Sequence, residues 1–330
     1  MALTDKERKL YGDNVQILKK TEVYTQYRLS DEVGEGIMTA YEVFPGIRLI
    51  YNDMRMNACG ENVMPMSNFI EVNHCREGQI ELLLDSDEHL YLTKGDLSVN
   101  IKDGSCHSSC FPLGYYYGTS IEINMDEAPK CLSCILDDVY IDFEKLWKVL
   151  KSSDSCIIMR NIPSFEHIFS ELYSISDDMR LGYYKIKVLE ILFFLCGMDI
   201  DSATSVKKRY SKLQEQKVRA IKEYVDVNWQ EHITLCDLSA QFAIPLTSMK
   251  KCFHGIYDIG IYAYLRNIRM QKAAVLLVQT DETVLSIAGQ VGYDNASKFS
   301  SAFKTVIGQL PTEYRRNEKE HDQMEQSKAF

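Results

Sequence analysis

Two short cysteine pairs, "CHSSC" (106–110) and "CLSC" (131–134), come nearest in this sequence to the spacing of a metal site. Cys106, His107, Cys110, Cys131 and Cys134 would offer thiolates and an imidazole to zinc or iron, and a gap of 20 residues between the pairs permits it. The same thiols would suit a redox sensor. Against both, free cysteine is a common buried residue, and positions i and i+3 of a strand face opposite sides. The expectation is therefore no metal and no other cofactor. His74 beside Cys75, with Glu81 and His89 close by, holds only part of the spaced-histidine pattern of a metal-dependent β-barrel enzyme. His167, in "FEHIFSEL", lacks the second histidine of a zincin helix. The sequence contains no P-loop, Gly-rich nucleotide fingerprint or nucleophile elbow, so catalysis is not expected.

A second set of residues suits a different chemistry. Thr247, Ser248, Lys250, Lys251 and His254 fall on one face of a helical stretch. Asn295, Ala296, Ser297, Lys298, Ser300, Ser301 and Lys304 do so in another. Small, polar and basic side chains on an outward helix face can reach phosphates and base edges without clashing. That is nucleic-acid recognition.

The elements that would carry these residues repeat. Leu238 aligns with Ile287 and Phe242 with Val291; after one extra residue in the second turn, Met249 meets Phe299, Phe253 meets Phe303 and Tyr264 meets Tyr314. Matched apolar positions mark one supersecondary unit used twice. In the first copy Thr234 is the expected N-cap, Ala243 and Ile244 the turn, and Pro245 the first residue of the next helix. In the second copy Gly292 supplies the turn and Asn295 caps the following helix. Each copy reads helix, short turn, helix, with "IYAYLRNIRMQKAAVLLVQ" (261–279) as a helix between them. Such an arrangement lets the first helix brace a second one in the major groove.

Charge divides along the same line. The chain carries a formal net charge of -10, but residues 1–205 hold 19 Lys+Arg against 33 Asp+Glu, a net of -14. Residues 206–317 hold 16 against 10, a net of +6. A basic module joined to an acidic one is expected when one domain alone meets DNA.

Residues 210–316 resemble the DNA-binding domain of AraC/XylS-type transcription regulators. The resemblance is carried by "RMQKAAVLL" (269–277), "IAGQVGYDNASKFSSAFK" (287–304), Gly308 and "PTEYR" (311–315). It implies seven helices, two helix-turn-helix units bridged by a long helix, and recognition helices at 246–256 and 296–306. It also implies that Arg315 sits near phosphates, and that promoter DNA, RNA polymerase and a second copy of the chain are partners. The first copy departs from the pattern, with Pro245 in place of a Ser cap and Asp258 where the second copy has Gly308.

The N-terminal half reads as strands: 23–29, 47–54, 68–75, 79–84, 89–101 and 115–125, with "KGD" (94–96) as a tight turn. AraC-type regulators commonly carry a cupin-like β-barrel here, and "REGQIELLL…LYLTKGDLSV" resembles its central hairpins. "CFPLGYYYGTSIEI" (110–123) resembles the siderophore-responsive branch. Helices follow at 141–153, 163–175 and 181–198; the last is apolar around most of its circumference, which suits a dimer interface. The fold class is α+β: an effector-binding and dimerisation domain over 1–200 (β-rich 20–142, helical 143–198), a linker at 201–210, a DNA-binding domain at 211–316 and a tail at 317–330. Arg48, His74, Tyr115 and Tyr117 are the candidate effector contacts. The apolar run 188–198 is shorter than a bilayer span of roughly 20 residues, and no signal peptide is read at the start, so a cytoplasmic regulator without membrane contact is expected. A metal-dependent cupin enzyme, or a thiol or metal redox sensor, fused to a DNA-binding module is the alternative.

Overall fold

The computed structural model describes residues 3–317 apart from 13, 32–33, 60–65, 67, 85–88, 103–105, 130–140, 153–155, 176–179 and 199–209. The chain forms two compact units that divide between Lys207 and Lys208.

The N-terminal unit opens with α1 (Asp5–Tyr11), started by a capping box in which Thr4 and Glu7 satisfy each other's backbone N–H. Among the described residues twelve strands follow, running from β1 (Val15–Lys20), β2 (Tyr24–Ser30), β3 (Glu35–Phe44) and β4 (Ile47–Arg55) to β5 (Ala58–Cys59). Next come β6 (Phe69–Gly78), β7 (Ile80–Leu84), β8 (His89–Leu92), β9 (Leu97–Ile101), β10 (Cys106–Cys110), β11 (Tyr116–Asn124) and β12 (Cys156–Met159). They form an eight-stranded sheet ordered β1-β2-β3-β4-β11-β6-β9-β12 and a four-stranded sheet ordered β5-β10-β7-β8. Neither closes on itself, so the unit is a pair of open sheets rather than a single closed ring of strands.

Alternation of side chains sorts the larger sheet into two faces. Ile47 and Leu49 of β4, Ile70 and Val72 of β6, and Ile121 and Ile123 of β11 face a helical layer. That layer is α2 (Phe143–Ser152), α3 (Pro163–Leu172) and α4 (Arg180–Gly197). The opposite face, with Ile50, Met54, Cys75 and Tyr116, shares a core with Ile80, Leu82 and Leu92 of the smaller sheet and with Leu10 and Tyr11 of α1. β12, between α2 and α3, returns to pair with β9.

The C-terminal unit is helical: α5 (Lys212–Val227), α6 (Leu235–Gln241), α7 (Leu246–Tyr257), α8 (Ile261–Gln279), α9 (Val284–Gln290), α10 (Ala296–Ile307) and α11 (311–317). Met270, Ala273, Ala274 and Leu277 of α8 pack with Ile287, Ala288, Val291, Phe299 and Phe303 of the second repeat in one core. The apolar spacing of each helix meets its neighbours there, and burying a Phe side chain contributes about 1.5–3 kcal/mol.

Candidate nucleic-acid interface

Two helix pairs, α6–α7 and α9–α10, stand on either side of α8. Each begins with a threonine cap: the Thr234 hydroxyl oxygen accepts from the Asp237 N–H at 3.2 Å, and that of Thr283 accepts from the Ser286 N–H at 3.1 Å. Each turns through a left-handed residue, Ala243 (φ 47) in the first and Gly292 (φ 79) in the second. Each second helix ends on another, Asp258 (φ 52) and Gly308 (φ 88). The repeat is thus preserved in backbone conformation where the residue types differ.

The starts of α7 and α10 are built differently. Asn295 Oδ1 accepts from the N–H groups of Ser297 and Lys298 at 2.8 and 3.0 Å, fixing the first turn of α10. Pro245 stands at the N-cap of α7, one residue earlier than the sequence suggests, and supplies no side-chain bond. Met249 and Phe253 of α7, like Phe299 and Phe303 of α10, are fully buried. On the far faces Thr247, Lys250, Lys251 and His254 of α7 are exposed, with Ser248 half-buried. Asn295, Ser297, Lys298, Ser301 and Lys304 are exposed about α10, with Ala296 and Ser300 half-buried.

Arg315 is turned inward. Its Nε donates to the Leu277 carbonyl at 2.9 Å and a terminal nitrogen to the Glu282 carbonyl at 2.6 Å. These bonds tie α11 to the end of α8 and the loop before α9, a fold-closing role for the arginine expected beside phosphate. Arg269 on α8 does the same for the first half, donating to the carbonyls of Trp229 and Glu231, both at 2.8 Å. The sequence reading missed this residue. Its signal was its place at the head of "RMQKAAVLL", next to the buried Met270.

The four candidate effector residues do not converge. Arg48 faces the core between the sheets and pairs with Glu122 at 2.5 Å. Lys102 reaches Glu71 at 2.7 Å and Glu122 at 3.0 Å. Around them Asn52 Nδ2 donates to Ser120 Oγ at 2.8 Å, Ser120 Oγ donates to Asn73 Oδ1 at 2.7 Å, and Asn100 Nδ2 donates to Glu71 at 3.3 Å. Burial alone would raise the Glu122 carboxyl; Lys102 and Arg48 overcome it and hold it at about 2. The sequence reading named Arg48 and missed its partners, which lie 23 to 74 positions away and meet it only through strand register.

His74 and Tyr117 lie on the opposite, helix-facing side of the same sheet. The His74 ring stacks on Phe169 of α3 at 4.1 Å. It is buried, and neither ring nitrogen has a partner among the described residues. Burial, assisted by Arg76, holds it down to about 4, so it is neutral. Tyr117 and the Arg76 guanidinium pack on Tyr173 at 5.5 and 4.1 Å. Tyr115, at the end of the sheet, is partly exposed over Gly78.

Of the thiol cluster, Cys110 is half-buried on β10. Cys131 and Cys134, and the side chains of Cys106 and His107, lie outside the described residues. Among the described residues no His, Cys, Asp and Glu side chains are grouped to hold a metal. Burial pushes the thiol of Cys59, on the neighbouring β5, up to about 12. No helix among the described residues is long and apolar enough to cross a membrane.

Two helix-turn-helix units on a bridging helix define a class of DNA-binding module. Residues 238–317 match the model of a helix-turn-helix domain. An uncharacterized HTH-type transcriptional regulator of Staphylococcus aureus (strain COL) is 30% identical over 105 residues, which are 32% of this chain and 14% of that one. The HTH-type transcriptional activator RhaR of Mannheimia succiniciproducens is 29% identical over 127 residues, 38% of this chain and 44% of RhaR. The chain thus spans well under two thirds of these relatives. A probable AraC family transcriptional regulator from Rhodopseudomonas palustris is 28% identical, covering 31% of this chain and 96% of that one with a TM-score of 0.30. The C-terminal region of this chain is a helix-turn-helix domain.

Proposed function

We propose that the chain is a ligand-responsive, sequence-specific transcription regulator. The observation that carries the reading is the pair of polar, partly basic helix faces on α7 and α10, each braced by a short helix and joined by α8. Residues 247–254 and 295–304 read bases and phosphates in successive major grooves, about one helical turn apart. RNA polymerase follows as a partner by the resemblance to AraC-type regulators.

The effector site is proposed between the sheets of the N-terminal unit, around Arg48, Lys102, Glu71 and Glu122. Buried ion pairs cost about as much in desolvation as they return, so a core that keeps four charges there suits recognition of a polar small molecule. Siderophores are the first class to screen, given the resemblance of 110–123. Control requires the effector to bind two states of the protein unequally.

A second copy of the chain is the proposed partner of α4. Ile186 and Phe193 are 63% and 46% exposed on its outer side, and Leu189 lies between them. Gly182 with Gly197, and Ile186 with Phe193, are equidistant from the point between Leu189 and Glu190. An antiparallel copy therefore sets small residues against each other at the ends and Ile against Phe between them, as a two-fold interface demands.

Selection of bound duplexes from a random DNA library by the full-length protein tests the central claim. The expected footprint is two short segments about one helical turn apart. Lys298→Ala and Lys304→Ala should each weaken binding and lower its salt dependence. A protein that enriches no sequence would overturn the reading.

A further inference from the structure

A cavity of about 560 Å³ opens between the two helix-turn-helix units. His232 walls it on the side of the first unit, Tyr293 on the side of the second, and Tyr262, Arg266 and Arg269 of α8 form its floor.

Its charge is of one sign. Arg266 and Arg269 line it beside His232, and no carboxylate among the described residues does. Glu231 and Asp294 adjoin the lining in sequence without belonging to it. Arg269 donates to two neutral carbonyls, and burial pushes its guanidinium below the usual range, with Tyr293 opposing. Arg266 is exposed and forms no ion pair among the described residues. A concave surface with uncompensated cations and two phenols calls for an anion with several acceptor oxygens.

Position indicates which anion. In a helix-turn-helix the first helix crosses the DNA backbone, and the second enters the groove by its N-terminal residues. His232 stands two residues before the Thr234 cap of α6, and Tyr293 two before the Asn295 cap of α10. Both walls therefore belong to ends that approach DNA. Readers one turn apart leave a stretch of sugar–phosphate backbone between their grooves, and the cavity is walled by residues that lead into α6 and α10.

We propose that this groove is a phosphate clamp, in which Arg266 and His232, with the hydroxyls of Tyr262 and Tyr293, hold the DNA backbone between the two reader footprints. The proposal rests on α7 and α10 being the readers. An acidic protein segment offers the same charge, but it would leave unused the alignment of the groove with two DNA-facing helix ends.

The test titrates the full-length protein and its Arg266→Ala, Arg266→Lys and Lys298→Ala variants with a random-sequence duplex of about 40 base pairs, over about 50 to 200 mM KCl. Arg266→Ala should lower the slope of log Kobs against log salt by about 0.9, one phosphate's worth, and weaken binding roughly fivefold near 0.15 M salt. Arg266→Lys keeps the charge and should keep the slope. Thermal midpoints should match the wild type, because the Arg266 side chain is exposed. An unchanged slope in Arg266→Ala, beside a lowered one in Lys298→Ala, overturns the clamp, leaves the readers standing and turns the search to an acidic protein segment. A wild-type protein with no salt-dependent binding overturns both.

Discussion

The guanidinium of Arg269 lies against the backbone of Gly292, so that a Cβ on Gly292 would come within 3.0 Å of the arginine's Cζ. One arginine on α8 therefore bonds to the segment leading into the first helix-turn-helix and fills the space under the turn of the second. Gly292→Ala meets two costs, contact with that guanidinium and a left-handed φ. It should destabilise the C-terminal unit by about 1–2 kcal/mol and loosen Arg269. Ala243→Gly, at the equivalent turn, removes a left-handed alanine and should leave the thermal midpoint unchanged or raised. Calorimetry on the two variants checks the opposite signs.

Arg315→Met removes two charge-assisted bonds and leaves the Leu277 and Glu282 carbonyls short of a donor. The expected loss is about 1–3 kcal/mol, read by urea denaturation. Below the unfolding temperature, the salt slope of DNA binding should stay at the wild-type value. A slope lowered by about 0.9 would return Arg315 to the phosphate-contacting residues.

His74 makes stability sensitive to acid. Its folded pKa of about 4 lies below the ordinary 6.5, so its contribution is fully present above 6.5 and is lost as pH falls from there toward 4. His74→Phe keeps the stack on Phe169 and removes two unpartnered nitrogens. It should stabilise the protein by about 1–2 kcal/mol and flatten stability over that window, as followed by thermal melts at stepped pH.

Glu122 acts lower on the scale. Its carboxyl is held at about 2 against an ordinary 4.5, so its stabilisation is complete above 4.5 and drains away as pH drops toward 2. Glu122→Gln leaves Arg48 and Lys102 facing a neutral amide in the core. A loss of about 3–5 kcal/mol is expected, with a shallower acid limb. An unaltered acid limb would show that the Arg48–Glu122–Lys102 cluster does not set acid stability.

Phe193→Glu places a charge on the exposed stripe of α4, opposite Ile186 of the second copy, without touching the core beneath. Sedimentation should show a shift from dimer to monomer with an unchanged thermal midpoint for the isolated chain. An unshifted dimer would place the interface elsewhere.

Local signals made the C-terminal unit legible. Caps at Thr234 and Asn295, a glycine at 292 and apolar residues at helical spacing are all read within a dozen positions, and the structure puts helices between them. The central strands β4, β6 and β11 were equally plain, because β-branched and aromatic residues run between turns. The elements missed were α1, β1, β3, β5, β10 and β12. β12 is the tetrapeptide CIIM, whose strand character comes from pairing with β9 rather than from its own length. In β3, "EGIMTAYEVF", a glycine and small residues mask an alternation that register with β2 and β4 makes real. The effector candidates scattered for the same reason: residue type shows that a side chain is aromatic or charged, while the parity of its strand decides the face. Through β11, Arg48 is in register with Glu71 of β6, and His74 lies three residues on from Glu71, on the other face, so the two part.

The pairing of β12 with β9 also sets an order of synthesis. β9 is flanked by β6 on one side and β12 on the other, and β12 lies more than fifty residues further along the chain. Until the ribosome has delivered residue 159, the outer edge of β9 presents unpaired N–H and C=O groups. During that interval a nascent chain can pair with another of its kind on the same polysome. Four residues between two helices thus protect the newly made sheet from its neighbours.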